Sequence, residues 1–190
     1  MKKKTILACL AVVAAVSAAT ARAEQVTPPE VPANLDVPEG NRAFRMMHAV
    51  GTQNYICLVA GQAWTFIGPQ ATLFDDDDDQ SLTHFLSPNP DEGGTARATW
   101  QHSKDTSAVW ALSIQSSTDP AFVTPGAIPW LLLRVVGTEA GPNGGEKMVP
   151  TTFIHRVNTV GGSAPSPTCA QAGARAFVPY ETDYVFYKAH

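Results

Sequence analysis

The sequence feature that most constrains the fold is a pair of apolar runs separated by a turn-rich segment. Residues 127–137 (AIPWLLLRVVG) and 148–159 (MVPTTFIHRVNT) are rich in Val, Ile, Leu, Thr and aromatic residues, whereas residues 138–147 (TEAGPNGGEK) collect Gly, Pro and Asn. β-Branched and aromatic residues favour strands, and Gly, Pro and Asn favour turns. The pattern predicts a β-hairpin that forms the apolar floor of a larger sheet.

Short strand-like runs with turn residues between them recur along the rest of the chain, and no long stretch of helical period follows residue 23. Residues 41–50 fit either a short helix or a first strand. This spacing predicts an all-β fold, a single antiparallel β-sandwich or a flattened β-barrel, over residues 41–190. Residues 24–40 contain four prolines, which predicts an extended segment ahead of the domain.

The N-terminus has the three parts of an export signal. Lys2, Lys3 and Lys4 precede an apolar region at residues 6–16, and Ala21-Arg22-Ala23 matches an A-x-A cleavage site. We expect cleavage near Ala23 and a periplasmic or extracellular mature protein. The apolar region is too short for a membrane span, and the mature chain is expected to have no transmembrane segment.

Charge excludes two classes of partner for the mature chain. The full sequence has a net charge of −4, and four of its 13 basic residues leave with the signal, so the mature protein is more acidic still. An acidic protein is a poor ligand for nucleic-acid phosphates and for anionic membrane surfaces. The partners that remain are a small molecule, a glycan or an envelope protein.

The cysteine count predicts a covalent link. Cys9 lies in the signal, so the mature chain keeps only Cys57 and Cys169. Two cysteines in an oxidising compartment usually pair, and we expect a Cys57–Cys169 disulfide. In the chain-entropy model a bridge closing about a hundred residues contributes on the order of 4–5 kcal/mol. The alternative is a reactive thiol, but no CxxC motif supports it.

An acidic run at residues 75–79 (DDDDD) is the most conspicuous polar feature. Clustered carboxylates can supply oxygens to calcium, with Asp75, Asp77 and Asp79 as candidate ligands. The run does not fit the EF-hand template, because Gln80 and Leu86 stand where its Gly and Glu belong. A solvated acidic loop is the simpler interpretation, and no other cofactor is predicted.

No catalytic residue is predicted. The five histidines are well separated, without an HxH or HExxH motif, and no G-x-S-x-G elbow is present. Ligands from distant strands could still form a site. A metal-dependent or cofactor-free enzyme of hydrolase type on a β-barrel therefore remains the alternative to a non-enzymatic protein.

The candidate ligand surface is aromatic. A tryptophan on a sheet can stack on a sugar ring or an apolar ligand. Trp100 is the best candidate of the four tryptophans, with Arg97, His102 and His84 as possible partners, although packing in the core is the simpler role. Arg134 and Arg156 interrupt the two hairpin strands. They predict either a structural ion pair with Glu181 or Asp183, if they lie opposite one another, or an anion-binding pocket.

One set of motifs spreads over most of the mature sequence in a fixed order. It consists of 51–57 (GTQNYIC), Trp64, 69–73 (PQATL), His84-Phe85, Trp100, 127–133 (AIPWLLL), 156–159 (RVNT), Gly161-Gly162, Cys169, 178–180 (VPY) and 183–187 (DYVFY). In these residues the chain resembles the exported bacterial and fungal proteins grouped as domain of unknown function 3455. Residues 75–79 and 89–94 depart from the usual pattern, which has a shorter Gly-containing turn before the His. The resemblance implies no activity, since none is established for that family.

The sequence therefore predicts an exported, disulfide-linked, all-β protein that acts as a non-enzymatic binding or envelope-associated module. A purely structural domain that pairs with protein partners through a sheet edge is a third possibility. We expect a single site, if there is one, in the loops between Asp75 and Lys104.

Overall fold

Eight strands form one antiparallel sheet that closes into a barrel in sequence order. The computed structural model describes residues 26–58, 62–166 and 168–190. The predicted all-β fold is confirmed, and of the two predicted forms the chain adopts the barrel. The strands are β1 (Asn41–Cys57), β2 (Trp64–Phe74), β3 (Gln80–Asn89), β4 (Thr95–His102), β5 (Ala108–Ser117), β6 (Trp130–Glu139), β7 (Thr151–Gly161) and β8 (Arg175–Ala189).

Strand β1 closes the barrel, because it pairs with β2 on one side and with β8 on the other. Residues 41–50 belong to this strand, which settles the choice between helix and strand for them. Pairing on both sides outweighs the weak helical spacing of ten residues. The strand passes β2 closely at Gly51, where a Cβ atom would lie 2.1 Å from the Gln70 carbonyl oxygen.

The hairpin predicted from the two apolar runs is confirmed as β6 and β7, which pair with Leu133 opposite Ile154. Arg134 pairs with Phe153 and Arg156 with Leu131, so the two arginines are not opposite one another. The conditional ion pair with Glu181 or Asp183 is therefore wrong. Arg134 is exposed, whereas Arg156 faces the barrel interior beside the aromatic side chains of other strands.

Alternating side chains divide the apolar residues into two clusters. The first fills the barrel interior and includes Met47, Leu73, Leu82, Trp100, Val109, Ile154, Tyr184 and Phe186. The second covers the outer face of β6, β7 and β8 and includes Leu35, Val123, Trp130, Leu132, Val157, Val185 and Tyr187. A closed barrel of eight strands is just wide enough for its interior side chains or for one small ligand.

The Pro-rich segment ahead of β1 is a strap over the outer cluster. Its short 3-10 turn, Ala33–Leu35, places Leu35 fully buried against the barrel. The Leu35 carbonyl oxygen lies 2.7 Å from Nε2 of His155, and the Tyr187 hydroxyl lies 3.0 Å from Nδ1 of the same ring. Both ring nitrogens of this buried histidine are therefore satisfied.

The structure contains the disulfide between Cys57 and Cys169, with the two Cα atoms 5.8 Å apart. It joins the last residue of β1 to the loop that precedes β8. The Cys57 amide also donates to the Ala174 carbonyl at 2.8 Å, which fixes the same loop through the backbone. Each of the eight strands has a neighbour on both sides, although β4 and β5 pair over only part of their length. Binding of protein partners through a sheet edge stays a prediction.

The signal peptide predicted at residues 1–23, with its cleavage site near Ala23, lies outside the described residues and stays a prediction. Within the described ranges, no helix is long and apolar enough to cross a membrane.

Candidate functional site

The barrel opens where the β3–β4 hairpin leaves the sheet. Strand β4 pairs with β5 only from Ala98 to Gln101, although both strands continue further. The tip of the hairpin packs on β6 instead, where Asn89 Nδ2 donates to the Val136 carbonyl at 3.2 Å. The interior is therefore reachable between the departing end of β4 and the continuing end of β5.

A pocket of about 230 Å³ lies at this opening. Its apolar wall consists of Phe66, Pro69, Leu86, Ala96, Ala98, Ala111, Leu112, Leu131 and Leu133. Its polar and aromatic groups are Gln53, His84, Arg97, Trp100, Ser113, Arg156 and Tyr184, contributed by β1, β3, β4, β5, β7 and β8. Phe66 and Leu86 at the mouth are 47% and 38% exposed, so apolar surface surrounds the entrance.

Three rings, contributed by β3, β4 and β8, form an aromatic cluster behind the pocket. His84 stacks on Trp100 with ring centroids 4.2 Å apart and an interplanar angle of 13°. Tyr184 meets both rings edge-on, at 5.1 Å from His84 and 5.2 Å from Trp100. The cluster gives the pocket one aromatic side.

His84 is neutral at physiological pH and keeps an acceptor. Its Nδ1 lies 2.9 Å from the Thr99 carbonyl oxygen, which can only accept, so Nδ1 carries the proton. Burial lowers the pKa of His84 to about 3. The hydrogen bond to the Thr99 carbonyl raises this pKa and the charge of Arg156 lowers it, and both effects are smaller than that of burial. Nε2 is left with its lone pair and makes no hydrogen bond to any residue the structure describes.

Arg156 brings an uncompensated positive charge to the pocket. Its Nε and Nη2 donate to the Pro129 carbonyl at 3.2 and 2.8 Å. Among the described residues, no carboxylate pairs with it. Burial lowers the pKa of Arg156, yet a guanidinium stays charged in proteins. Burying a charge without a carboxylate partner is costly.

Tyrosine hydroxyls surround the guanidinium. Burial raises the pKa values of Tyr55, Tyr180 and Tyr184, and in each case the charge of Arg156 opposes that rise. The Tyr180 and Tyr184 hydroxyl oxygens are 3.5 Å apart, and the Tyr55 hydroxyl donates to the Gly162 carbonyl at 2.7 Å. These neutral groups solvate the cation without neutralising it.

Two buried N–H groups beside the pocket have no acceptor in the part of the chain that the structure describes. They are Nε2 of Gln53 and Nε1 of Trp100, on side chains that are 3% and 1% exposed. Gln53 lies near the Tyr180 hydroxyl, but no hydrogen bond of acceptable geometry joins them. Trp130 Nε1, in the outer cluster, is the third such group. Unsatisfied buried donors are rare and cost about 1–3 kcal/mol each.

The structure separates the four residues of the predicted ligand surface. Trp100 and His84 lie together in the pocket. Arg97 is at its rim, where Nε and Nη2 bind the Glu92 carboxylate at 2.7 and 2.9 Å. His102 lies at the other end of the barrel, where its Nδ1 accepts from the Lys104 and Asp105 amides at 3.2 and 3.1 Å. Ligand binding by any of the four stays a prediction.

Sequence reasoning missed Gln53 and Tyr184 as pocket residues. Both belong to strands whose alternation is visible in the sequence, but the inward face of each strand is defined only once β1 and β8 pair. The predicted location in the loops between Asp75 and Lys104 captures His84 and Trp100 and omits the wall that carries Arg156. The sequence signal for Arg156 was its position within an apolar strand, which suggested the anion-binding alternative.

The acidic run forms a turn between β2 and β3. The Asp75 carboxylate accepts from the Asp77 and Asp79 amides at 3.2 and 3.0 Å and from the Ser81 hydroxyl at 3.2 Å. Across the described residues, no group of three or more His, Cys, Asp or Glu side chains is arranged to hold a metal ion. The proposed calcium ligands Asp75, Asp77 and Asp79 stay a prediction.

A second concavity lies at the opposite end of the barrel, lined by Arg45, Asp75, Ser81, His102, Lys104 and Lys147 among others. Asp75 and His102 bind the backbone or neighbouring side chains, whereas Arg45, Lys104 and Lys147 form no ion pair with another described residue. Asp105, beside it, accepts from the Ser107 hydroxyl at 2.7 Å and from the Lys147 amide at 2.9 Å. None of the buried donors that lack an acceptor in the described chain borders this end, which makes it a weaker candidate than the pocket beside Arg156.

The chain was also compared with known proteins. No curated protein and no solved structure gives a significant match. A family model described as "Protein of unknown function (DUF3455)" matches residues 38–188, which include the whole barrel apart from the last residue of β8. Because this match covers most of the chain, the protein belongs to the DUF3455 family.

Proposed function

We propose that the protein is an exported binding module that holds one small organic ligand in the pocket beside Arg156. The observation that carries the proposal is the set of unsatisfied polar groups around one cavity: the Arg156 charge and the N–H groups of Gln53 and Trp100. Folded proteins satisfy nearly all buried polar groups. A ligand that enters the pocket supplies the negative charge and the hydrogen-bond acceptors that these groups lack.

The barrel is suited to this role. Eight strands enclose an interior that can hold one small ligand when large side chains leave room, and the departure of β4 from β5 leaves an entrance. Apolar side chains line most of the pocket, and a few polar groups converge on it, which is the usual composition of a small-molecule site. This support rests on the site, because a fold alone does not define a function.

Export belongs to the same proposal. The charged and apolar regions of residues 1–23 support it, and a disulfide fits an oxidising compartment such as the periplasm or the exterior. N-terminal sequencing of the protein recovered from the periplasmic fraction and the medium tests this point. We expect Glu24 as the first residue. Recovery only from the cytoplasm, with Met1 retained, would contradict export.

Ligand binding is tested by filling the pocket. Nuclear magnetic resonance of the mature chain is recorded with small ring compounds of different charge, including indole and 4-hydroxybenzoate. The test variant is Ala98→Phe, which places a ring in the pocket, and its control is Ala170→Phe, which adds the same ring to an exposed loop. We expect at least one compound to shift pocket resonances in the parent and the control but not in Ala98→Phe. The absence of shifts with every compound would contradict the proposal.

A further inference from the structure

We propose that the ligand is a small aromatic monocarboxylate whose carboxylate binds Arg156 and Gln53 and whose ring lies between the apolar wall of the pocket and the edges of the stacked Trp100 and His84 rings. This inference rests on the proposed function and names the chemical class that the pocket accepts. It follows from the charge, the donors and the shape of the pocket.

The charges of the residues that line the pocket match a ligand with one negative charge. Arg97 is neutralised by Glu92, and His84 is uncharged, so Arg156 is the single unpaired charge among the residues that line the pocket. No Asp or Glu is among these lining residues. A ligand with one negative charge balances the site. A phosphate monoester with nearly two charges would leave an uncompensated charge in an apolar surrounding, which is costly.

The donors match a carboxylate. A guanidinium has five N–H groups, and the Pro129 carbonyl uses two of those on Arg156. The unpaired amide of Gln53 borders the same cavity. A carboxylate has two oxygens that each accept more than one hydrogen bond, so it can engage both side chains at once. Charge-assisted bonds of this kind are about twice as strong as neutral ones.

The shape favours a ring. His84, Trp100 and Tyr184 form an aromatic cluster on one side of the pocket, and Leu131 and Leu133 add to the apolar wall. A volume of about 230 Å³ lies below the roughly 300–1,000 Å³ of typical drug-sized pockets. A compound with one or two rings fits this space, whereas a long acyl chain does not.

His84 adds a preference for a hydroxyl on the ring. Because Nδ1 donates to the Thr99 carbonyl, the free Nε2 can only accept. A phenolic hydroxyl is a donor that this nitrogen can use, and a methyl group of similar size is not. The chemistry of the pocket is thus that of a hydroxylated aromatic acid.

Isothermal titration of the mature chain at pH 7 tests the inference. The probes are 4-hydroxybenzoate, its neutral isostere 4-hydroxybenzamide and 4-methylbenzoate. We expect 4-hydroxybenzoate to bind about tenfold or more tightly than the amide, and about fivefold more tightly than the methyl compound. Equal affinity for the acid and the amide overturns the monocarboxylate class. Equal affinity for the hydroxyl and methyl compounds overturns the role of His84.

Two arginine variants test whether Arg156 binds the carboxylate of the ligand. Arg156→Gln is expected to bind 4-hydroxybenzoate about tenfold or more weakly, while its affinity for the amide changes little. Arg134→Gln, in the neighbouring strand but exposed on the outside, is the matched control and is expected to bind both as the parent does. An unchanged affinity in Arg156→Gln overturns the inference. If that variant does not fold, the acid and amide titrations of the parent decide the question.

Inorganic phosphate distinguishes the anion classes. We expect that it does not displace 4-hydroxybenzoate at equal concentration, and displacement would overturn the preference for a monocarboxylate. The titrations also distinguish failure of the proposed binding function from failure of the monocarboxylate inference. If neither charged nor neutral rings bind, the proposed function fails. If neutral rings bind as tightly as the acid, and Ala98→Phe blocks both, only the present inference fails.

Discussion

Two of the three buried histidines in the described chain, His84 and His155, differ in how completely the chain satisfies them. His155 lies on the outer face under the N-terminal strap, with the Leu35 carbonyl on one ring nitrogen and the Tyr187 hydroxyl on the other. His84 lies inside the barrel, and only its Nδ1 has a partner among the described residues. The fold therefore provides hydrogen-bond partners for both ring nitrogens of His155 but for only one ring nitrogen of His84.

The contrast extends to the surroundings of each ring. The strap and the loop that contains Val123 cover an outer cluster without a charged member. The interior cluster adjoins Arg156, whose charge has no carboxylate partner in the described chain, and the unpaired donors of Gln53 and Trp100. The outer face satisfies most of its buried polar groups, whereas the interior face has buried donors without an acceptor in the described chain. Trp130 is the exception on the outer side.

The outer face should respond to mutation in stability alone. Leu35→Ala removes a fully buried side chain from under the strap and is expected to lower the free energy of unfolding by about 2–4 kcal/mol. Ligand binding in the pocket should not change, because the strap lies on the opposite side of the sheet. Urea denaturation and the titration of 4-hydroxybenzoate measure the two effects. Loss of binding in a folded Leu35→Ala variant would show that the two faces are coupled.

The interior histidine should make stability depend on pH. Burial lowers the pKa of His84 to about 3, below its ordinary value, so the unfolded chain binds a proton that the folded chain does not as pH falls below about 6.5. Stability is fully present above that pH and falls on acidification, by about 2 kcal/mol at pH 5 for this residue.

Urea denaturation at pH 7 and pH 5 measures this loss, and a His84→Gln variant should show a smaller one. Burial lowers the pKa values of His102 and His155 as well, so part of the pH dependence remains in that variant. An identical pH dependence in the parent and the variant would refute the assignment of a neutral buried His84.

The charge in the pocket should contribute least to stability. Arg156→Met removes an unpaired cation and also two hydrogen bonds to the Pro129 carbonyl, and these effects have opposite sign. We expect a change in the free energy of unfolding within about 1 kcal/mol, together with loss of 4-hydroxybenzoate binding. A loss of stability larger than that of Leu35→Ala would show that Arg156 holds the interior together.

The strand content was predictable because local composition sets it. The two apolar runs that form β6 and β7 predict a hairpin because Gly, Pro and Asn residues lie between them. The cysteine count predicts the disulfide that the structure contains. The choice between barrel and sandwich was not predictable. It depends on β1 pairing with β8, more than a hundred residues away, and no local pattern encodes that contact.

The site was less predictable than the fold. Trp100 was selected as the best candidate of the four tryptophans, with His84 as a possible partner, and the two rings do stack. His102 was selected because it is close to Trp100 in sequence, but it lies toward the opposite end of the barrel, where its ring binds a local turn. The pocket itself arises where β4 departs from β5, a bend that the sequence does not signal.

The indole N–H resonances give the most direct test of whether the unsatisfied interior is a binding site. In the part of the chain that the structure describes, Nε1 of Trp100 and Nε1 of Trp130 both lack an acceptor, one beside the pocket and the other in the outer cluster. The variants Trp100→Phe and Trp130→Phe assign the two signals among the four indoles, and the ¹⁵N-labelled mature chain is then titrated with 4-hydroxybenzoate and indole. A ligand-dependent shift of the Trp100 indole with a stationary Trp130 indole is the predicted result. A stationary Trp100 indole with both compounds, or a shift of Trp130 alone, would contradict the account.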